Sequence, residues 1–118
     1  MLTLYGIAHC DTIRKARLWL QDNGVRYLFH DYKHSGIDAG KLNYWISKTS
    51  IDSIFNKRST TWKQLKEEFP TLSQDKNNLI RLMTEHTSII RRPIIEINNE
   101  ILVGYDESAY IEKILNTK

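Results

Sequence analysis

The chain contains a single cysteine, Cys10, among its 118 residues, so no disulfide can form within it and its core must hold the fold. Long apolar runs are missing too, and nothing approaches the roughly 20 residues a membrane-spanning helix requires. Met1-Leu2-Thr3-Leu4-Tyr5 lacks the basic region, apolar core and cleavage site of a signal peptide, so a cytoplasmic location is the default expectation. Charge of one sign is scarce. Seventeen Lys and Arg oppose fourteen Asp and Glu, and the densest basic cluster, Lys57-Arg58 with Lys63 and Lys66, is too thin for a nucleic-acid stripe. No direct nucleic-acid contact is expected, whereas small anions such as glutathione, an oxyanion or a peptide carboxylate fit the mild excess. His, Cys and carboxylate residues show no zinc-ligand spacing and Ser and Thr no nucleophile elbow, so no metal and no bound cofactor are expected.

What is present reads as one α/β domain: 41% hydrophobic and 26% charged residues describe an ordinary folded chain. Leu2-Thr3-Leu4-Tyr5 predicts a strand ended by Gly6. Ile13, Ala16 and Leu20 then recur at helical spacing, with Trp19 on the flank and Asn23-Gly24 as the stop. Val25 to Asp31 alternates as a second strand, parallel to the first through a right-handed crossover. From about residue 35 to 88 the pattern turns helical, marked by Leu42, Trp45 and Ile46, then Ile51, Ile54 and Phe55, then Leu79, Ile80 and Met83. Within it, Thr61-Trp62-Lys63-Gln64 has the form of a capping box for a helix that stops at Pro70. Ile94–Ile97 and Ile101–Val103 flank an Asn98-Asn99-Glu100 turn, and Asp106 caps a final helix over residues 107–115. The expectation is a single domain over residues 1–118, β-α-β and β-β-α, with a helical insertion at about 35–88.

Gly6-Ile7-Ala8-His9-Cys10-Asp11-Thr12 lies between the first strand and the first helix, where α/β domains place ligands. Helix N-termini present unpaired N–H groups to a thiolate and lower a cysteine pKa into the range of about 3.5–7.5. Arg14, four residues on, adds positive charge, whereas Asp11 opposes the thiolate unless its side chain caps. The competing reading is a small inert hydrophobe. His9 is placed to assist proton transfer. Arg91 and Arg92, just before Pro93 and an apolar strand, are either solvated loop arginines or the guanidinium that meets an anion at Cys10.

Leu4-Tyr5-Gly6-Ile7-x-x-Cys10-Asp11-Thr12, Phe29-His30-Asp31-Tyr32, Asn56-Lys57-Arg58, Thr60-Thr61-Trp62 and Arg92-Pro93-Ile94, in this order, resemble the ArsC/Spx group, above all its YffB branch of ArsC-like reductases. The resemblance spans essentially the whole chain. It implies a thioredoxin-like fold with a mixed four-stranded sheet, an inserted helical subdomain, and a cis-proline at Pro93 facing the thiol. It also implies Cys10 as the nucleophile that attacks substrate, with glutathione and glutaredoxin resolving the product, and Arg92 as an anion-binding arginine. The family's first such arginine aligns near Asn56, leaving Arg58 as the substitute, and Gly104-Tyr105 stands where its third belongs. Each missing charge-assisted contact weakens anion binding by about 1.5–3 kcal/mol, which points away from arsenate as substrate. The expected activity is therefore that of a glutathione-dependent monothiol reductase. The Spx branch supplies the alternative, a regulator that binds RNA polymerase, commonly through a Cys-x-x-Cys switch; here Ile13 occupies the second position.

Overall fold

The computed structural model describes residues 1–116, and the chain folds as two compact units. One comprises Met1–Asp31 together with the segment from Arg92 onward; the other, Tyr32–Arg91, is continuous and interrupts it in sequence.

In the first unit, alternating side chains make β1 (Leu2–Gly6) two-sided. It pairs in parallel with β2 (Tyr27–Asp31) and antiparallel with β3 (Ile94–Ile97), which pairs antiparallel with β4 (Glu100–Val103). The sheet order is β2-β1-β3-β4. Leu4 sits opposite both Phe29 and Ile95, and Ile95 opposite Leu102. This face buries Leu2, Leu4 and Ile95 against Ala16, Trp19 and Leu20 of α1 (Asp11–Asp22) and against Tyr110. Tyr110 meets Trp19 edge-on at 5.3 Å between centroids and donates its hydroxyl to the Gly104 carbonyl at 2.9 Å. Asn98 and Asn99 both take positive φ, 51° and 63°, the type I′ geometry that Asn tolerates at a two-residue hairpin.

Several boundaries differ from the sequence expectation. β2 starts at Tyr27 rather than Val25, because Val25 and Gly24 close α1. The Val25 N–H donates to the Leu20 carbonyl and the Gly24 N–H to that of Gln21, around Gly24 at φ +67°. That is a Schellman closure, and it withholds Val25 from the sheet. The last helix begins as expected, with Asp106 accepting the Ala109 N–H at 3.2 Å. It runs as α7 (Glu107–Tyr110) and then widens into a π-helical stretch, Ile111–Leu115.

The second unit holds α2 (Tyr32–Ser35), a single turn with no sequence signal, then α3 (Ala39–Lys48), α4 (Ile51–Ile54), α5 (Thr60–Glu68) and α6 (Lys76–Glu85). Asp38, Ser50 and Asp75 cap α3, α4 and α6 with side-chain oxygens. The capping box assigned to Thr61 gives way to an earlier cap: Ser59 accepts the Trp62 N–H. Thr61 is already helical, and its hydroxyl accepts from Ser88 at 3.2 Å. Trp62 packs edge-on against Phe55 at 4.8 Å, and Trp45 is fully buried. No helix among the described residues is long and apolar enough to cross a membrane.

Candidate functional site

Cys10 is the N-cap of α1, with extended backbone at φ −105° and ψ 137°. Gly6 determines how closely α1 approaches the end of β1. A Cβ at Gly6 would overlap the Ile13 side chain, 2.8 Å from its Cγ1 and closer still to Cδ1. Ile13 is fully buried, so only glycine lets the first turn of α1 seat against the strand. The loop between them carries His9, which is exposed, and Cys10, which is half-exposed.

Around the sulfur the geometry favours the anion. Cys10 Sγ lies 3.1 Å from Thr12 Oγ1, and the Thr12 hydroxyl has a second partner in the Arg92 carbonyl at 3.5 Å. That hydroxyl can therefore donate to the carbonyl beside a neutral thiol and turn its proton to a thiolate. Burial raises the cost of charge at Cys10. Hydrogen bonds from the Thr12 hydroxyl, the Ile13 N–H, the Arg92 side chain and the Thr12 N–H outweigh it, bringing the pKa from 9.0 down to about 7. The Ile13 and Thr12 N–H groups favour the thiolate from the first turn of α1, without closing a side-chain cap hydrogen bond.

Arg92 is half-buried, Pro93 is buried, and the peptide bond between them is cis. The Pro93 carbonyl accepts the Gly104 N–H at 2.8 Å, fastening the start of β3. Thus Cys10, Thr12, Arg92 and Pro93 meet in one unit. Arg14 turns elsewhere: its guanidinium pairs with Asp11 at 3.4 Å, both exposed, and it is not among the groups that stabilise the thiolate. Arg58 belongs to the second unit, its side chain exposed and its N–H bound to Asn56 Oδ1 at 3.1 Å. The Asn56 N–H in turn donates to the Ile89 carbonyl at 2.6 Å, which fixes the Asn56-Lys57-Arg58 turn. Among the described residues no group of three His, Cys, Asp or Glu could hold a metal.

Sequence reading pointed to the N–H groups of the helix start in general, and the structure names those of Ile13 and Thr12 as the ones that favour the thiolate. The helix start carries that signal, since positions two and three beyond a cap always point their N–H groups at it. Replacing Thr12 by valine, which keeps the shape and removes the hydroxyl, is expected to raise the Cys10 midpoint. Alkylation by iodoacetamide at pH 7 should slow about fivefold, while the rate well above pH 9 is retained. An unchanged midpoint in the alkylation–pH curve would remove Thr12 from the site.

Comparison with known proteins identifies relatives across nearly the whole chain. The solved structure of the YffB protein superposes with a TM-score of 0.89 at 38% identity, covering 97% of this chain and 99% of that one. An uncharacterised protein of Haemophilus influenzae is 38% identical over 110 residues, 93% of this chain and 96% of its own length. The global transcriptional regulator Spx 1 of Lactococcus lactis is 30% identical over 109 residues, 91% of this chain and 84% of its own. The ArsC family model matches residues 5–113, so the chain is a member of the ArsC family with a thioredoxin-like fold.

Proposed function

We propose that this protein is a monothiol reductase whose nucleophile is the Cys10 thiolate and whose reductant is glutathione. One observation carries the reading. Cys10 is the N-cap of α1 with its sulfur 3.1 Å from the Thr12 hydroxyl, and its pKa is lowered to about 7. About half of it is thiolate at neutral pH, and a thiol with a pKa near ambient pH is the best attacker in exchange.

On a mixed disulfide of glutathione with another thiol, the Cys10 thiolate attacks the glutathione sulfur. A new S–S bond forms, the old one breaks, and the other thiol leaves as a thiolate that takes a proton from water. A second glutathione thiolate then attacks the Cys10 adduct, releasing glutathione disulfide and regenerating Cys10. One glutathione thiol is oxidised, joining the glutathionyl group taken from the substrate in glutathione disulfide, as the substrate's other sulfur is reduced to a thiol. With no second cysteine in the chain, the resolving thiol has to come from outside, and a glutaredoxin can supply it in place of free glutathione. Arg92, whose side chain helps lower the Cys10 pKa, is the residue that would hold an anionic group beside the sulfur. The resemblance sets Asn56 and Gly104-Tyr105 where the family has two anion-binding arginines, so arsenate is not the substrate proposed.

The test is the reduction of a glutathionylated peptide, read as glutathione disulfide formed over time. The expected result is turnover that depends on glutathione, with a glutathionyl adduct on Cys10 seen by mass spectrometry when glutathione is limiting. Neither adduct nor turnover would overturn the reading. Identity to Spx 1 favours a second reading, an adaptor that binds RNA polymerase without a disulfide switch. It predicts a polymerase subunit in a pull-down that Cys10→Ser leaves intact.

A further inference from the structure

The four-stranded sheet has two outer strands, and they are built differently. Along β4 every residue is half-buried, and Glu100 is held by Lys113 at 3.2 Å. Edge strands are ordinarily protected from pairing by a lysine, a proline or a bulge. Tyr27-Leu28-Phe29-His30-Asp31 of β2 contains neither residue, and its register against β1 runs unbroken over the whole strand. Leu28 is 59% exposed on it. On the α1 side, Leu18 is 51% exposed and shares an open groove with Arg17 and Gln21.

Arg17 indicates what this edge accepts. Its Nε donates to the Tyr27 hydroxyl at 3.0 Å, and its guanidinium carbon stands 4.6 Å from the centroid of the Phe29 ring. Its two terminal nitrogens make no hydrogen bond among the described residues. A guanidinium clamped in this way meets a carboxylate without first losing rotamer freedom. The strand carries that carboxylate itself. Side chains alternate along β2, so Asp31 lies on the same face as Tyr27 and Phe29. When two copies of β2 pair antiparallel with Phe29 opposite Phe29, the whole strand is engaged. Tyr27 then faces Asp31 of the partner subunit, with the opposed Cβ atoms about 5 Å apart. Arg17, clamped on Tyr27, is thereby brought to that carboxylate, and the twofold axis makes the contact twice. On the other face, Leu28 falls opposite His30 of the partner subunit.

We propose that β2 is a self-association edge, through which two copies of this chain join their sheets antiparallel about Phe29 and exchange Arg17–Asp31 ion pairs. The pairing uses none of Cys10, Thr12 and Arg92, and it stands apart from the thiol chemistry.

The test is sedimentation of the full chain from about 1 μM to about 1 mM, the range that separates weak from stable association. The expected result is a monomer–dimer equilibrium, with amide hydrogen exchange in Tyr27–Asp31 slowing as dimer forms. Leu28→Lys, which adds a guarding charge at an exposed position, should weaken dimerisation at least about tenfold. Its alkylation–pH midpoint should stay near 7. Arg17→Asp should weaken dimerisation about tenfold as well, and combining it with Asp31→Arg should restore the dimer. A chain that is monomeric across the whole range overturns the proposal. So does a dimer that Leu28→Lys leaves unchanged, or one whose slowed amides lie on β4. A folded double variant that fails to dimerise overturns the Phe29 register. Should Asp31→Arg disturb the fold, the Leu28→Lys and exchange measurements decide the proposal by themselves.

Discussion

Cys10→Ser should abolish the reduction of a glutathionylated peptide, by about a thousandfold or more. The substitution changes one atom at a half-exposed position, and serine is among the better helix caps, so the first turn of α1 is not weakened. What disappears is the anion: a serine hydroxyl does not ionise near neutral pH, and an oxygen nucleophile does not carry out sulfur exchange. The measurement is the initial rate of glutathione disulfide formation at pH 7, alongside circular dichroism to confirm the fold. A serine variant that retained even a tenth of the activity would mean that Cys10 is not the nucleophile.

The same variant carries a stability signature whose sign follows from linkage. The folded Cys10 pKa, about 7, lies below the ordinary thiol value of 9.0, so the folded state favours the thiolate. That contribution is fully present above pH 9 and is lost as pH falls through 7. Wild type should therefore gain stability over Cys10→Ser between pH 7 and 9, and the difference should be flat below pH 6. Activity follows the folded ionisation alone and levels off about a unit above pH 7, whereas the stability contribution keeps rising until the unfolded thiol ionises near 9.

Much of this was legible in the sequence because its signals are local. Ile13, Ala16 and Leu20 on a helical stripe, Asn98-Asn99 at the turn and Asp106 at the last cap each state their own structure, and the motif order implied the fold. Less local features were not legible. Thr61 and Ser59 are both competent caps, and the choice between them lies in which register buries Trp62 against Phe55. The single turn α2 has no period to read. The Val25 N–H is spent on closing α1, a competition that alternation alone does not reveal. At the site, the position of Cys10 was visible, but not the division of labour among the arginines. Arg14, nearer in sequence, faces Asp11, whereas Arg92, 82 positions away, reaches the sulfur because β3 lies beside β1.

Leu4→Ala should be the most damaging single change to the fold that holds the site, costing about 3–4 kcal/mol. Leu4 is fully buried at the centre of the sheet, opposite Phe29 on one side and Ile95 on the other, beneath Ala16, Trp19 and Leu20. The cavity left by three deleted carbons has little means of closing, because neighbours held by two ladders and a helix cannot all move inward. Against a typical total of about 5–15 kcal/mol, that loss lowers the urea midpoint substantially. The thiol chemistry of the molecules that remain folded should nonetheless be intact. Gly6, Ile13, Thr12 and Arg92 are the groups that position and charge the sulfur, and Leu4 touches the reaction only through the stability of β1. The alkylation–pH midpoint of folded Leu4→Ala should therefore stay near 7, the opposite pattern to Thr12→Val, which moves the midpoint and leaves the core alone. A midpoint that rises in both variants would show that the sheet tunes the thiol directly.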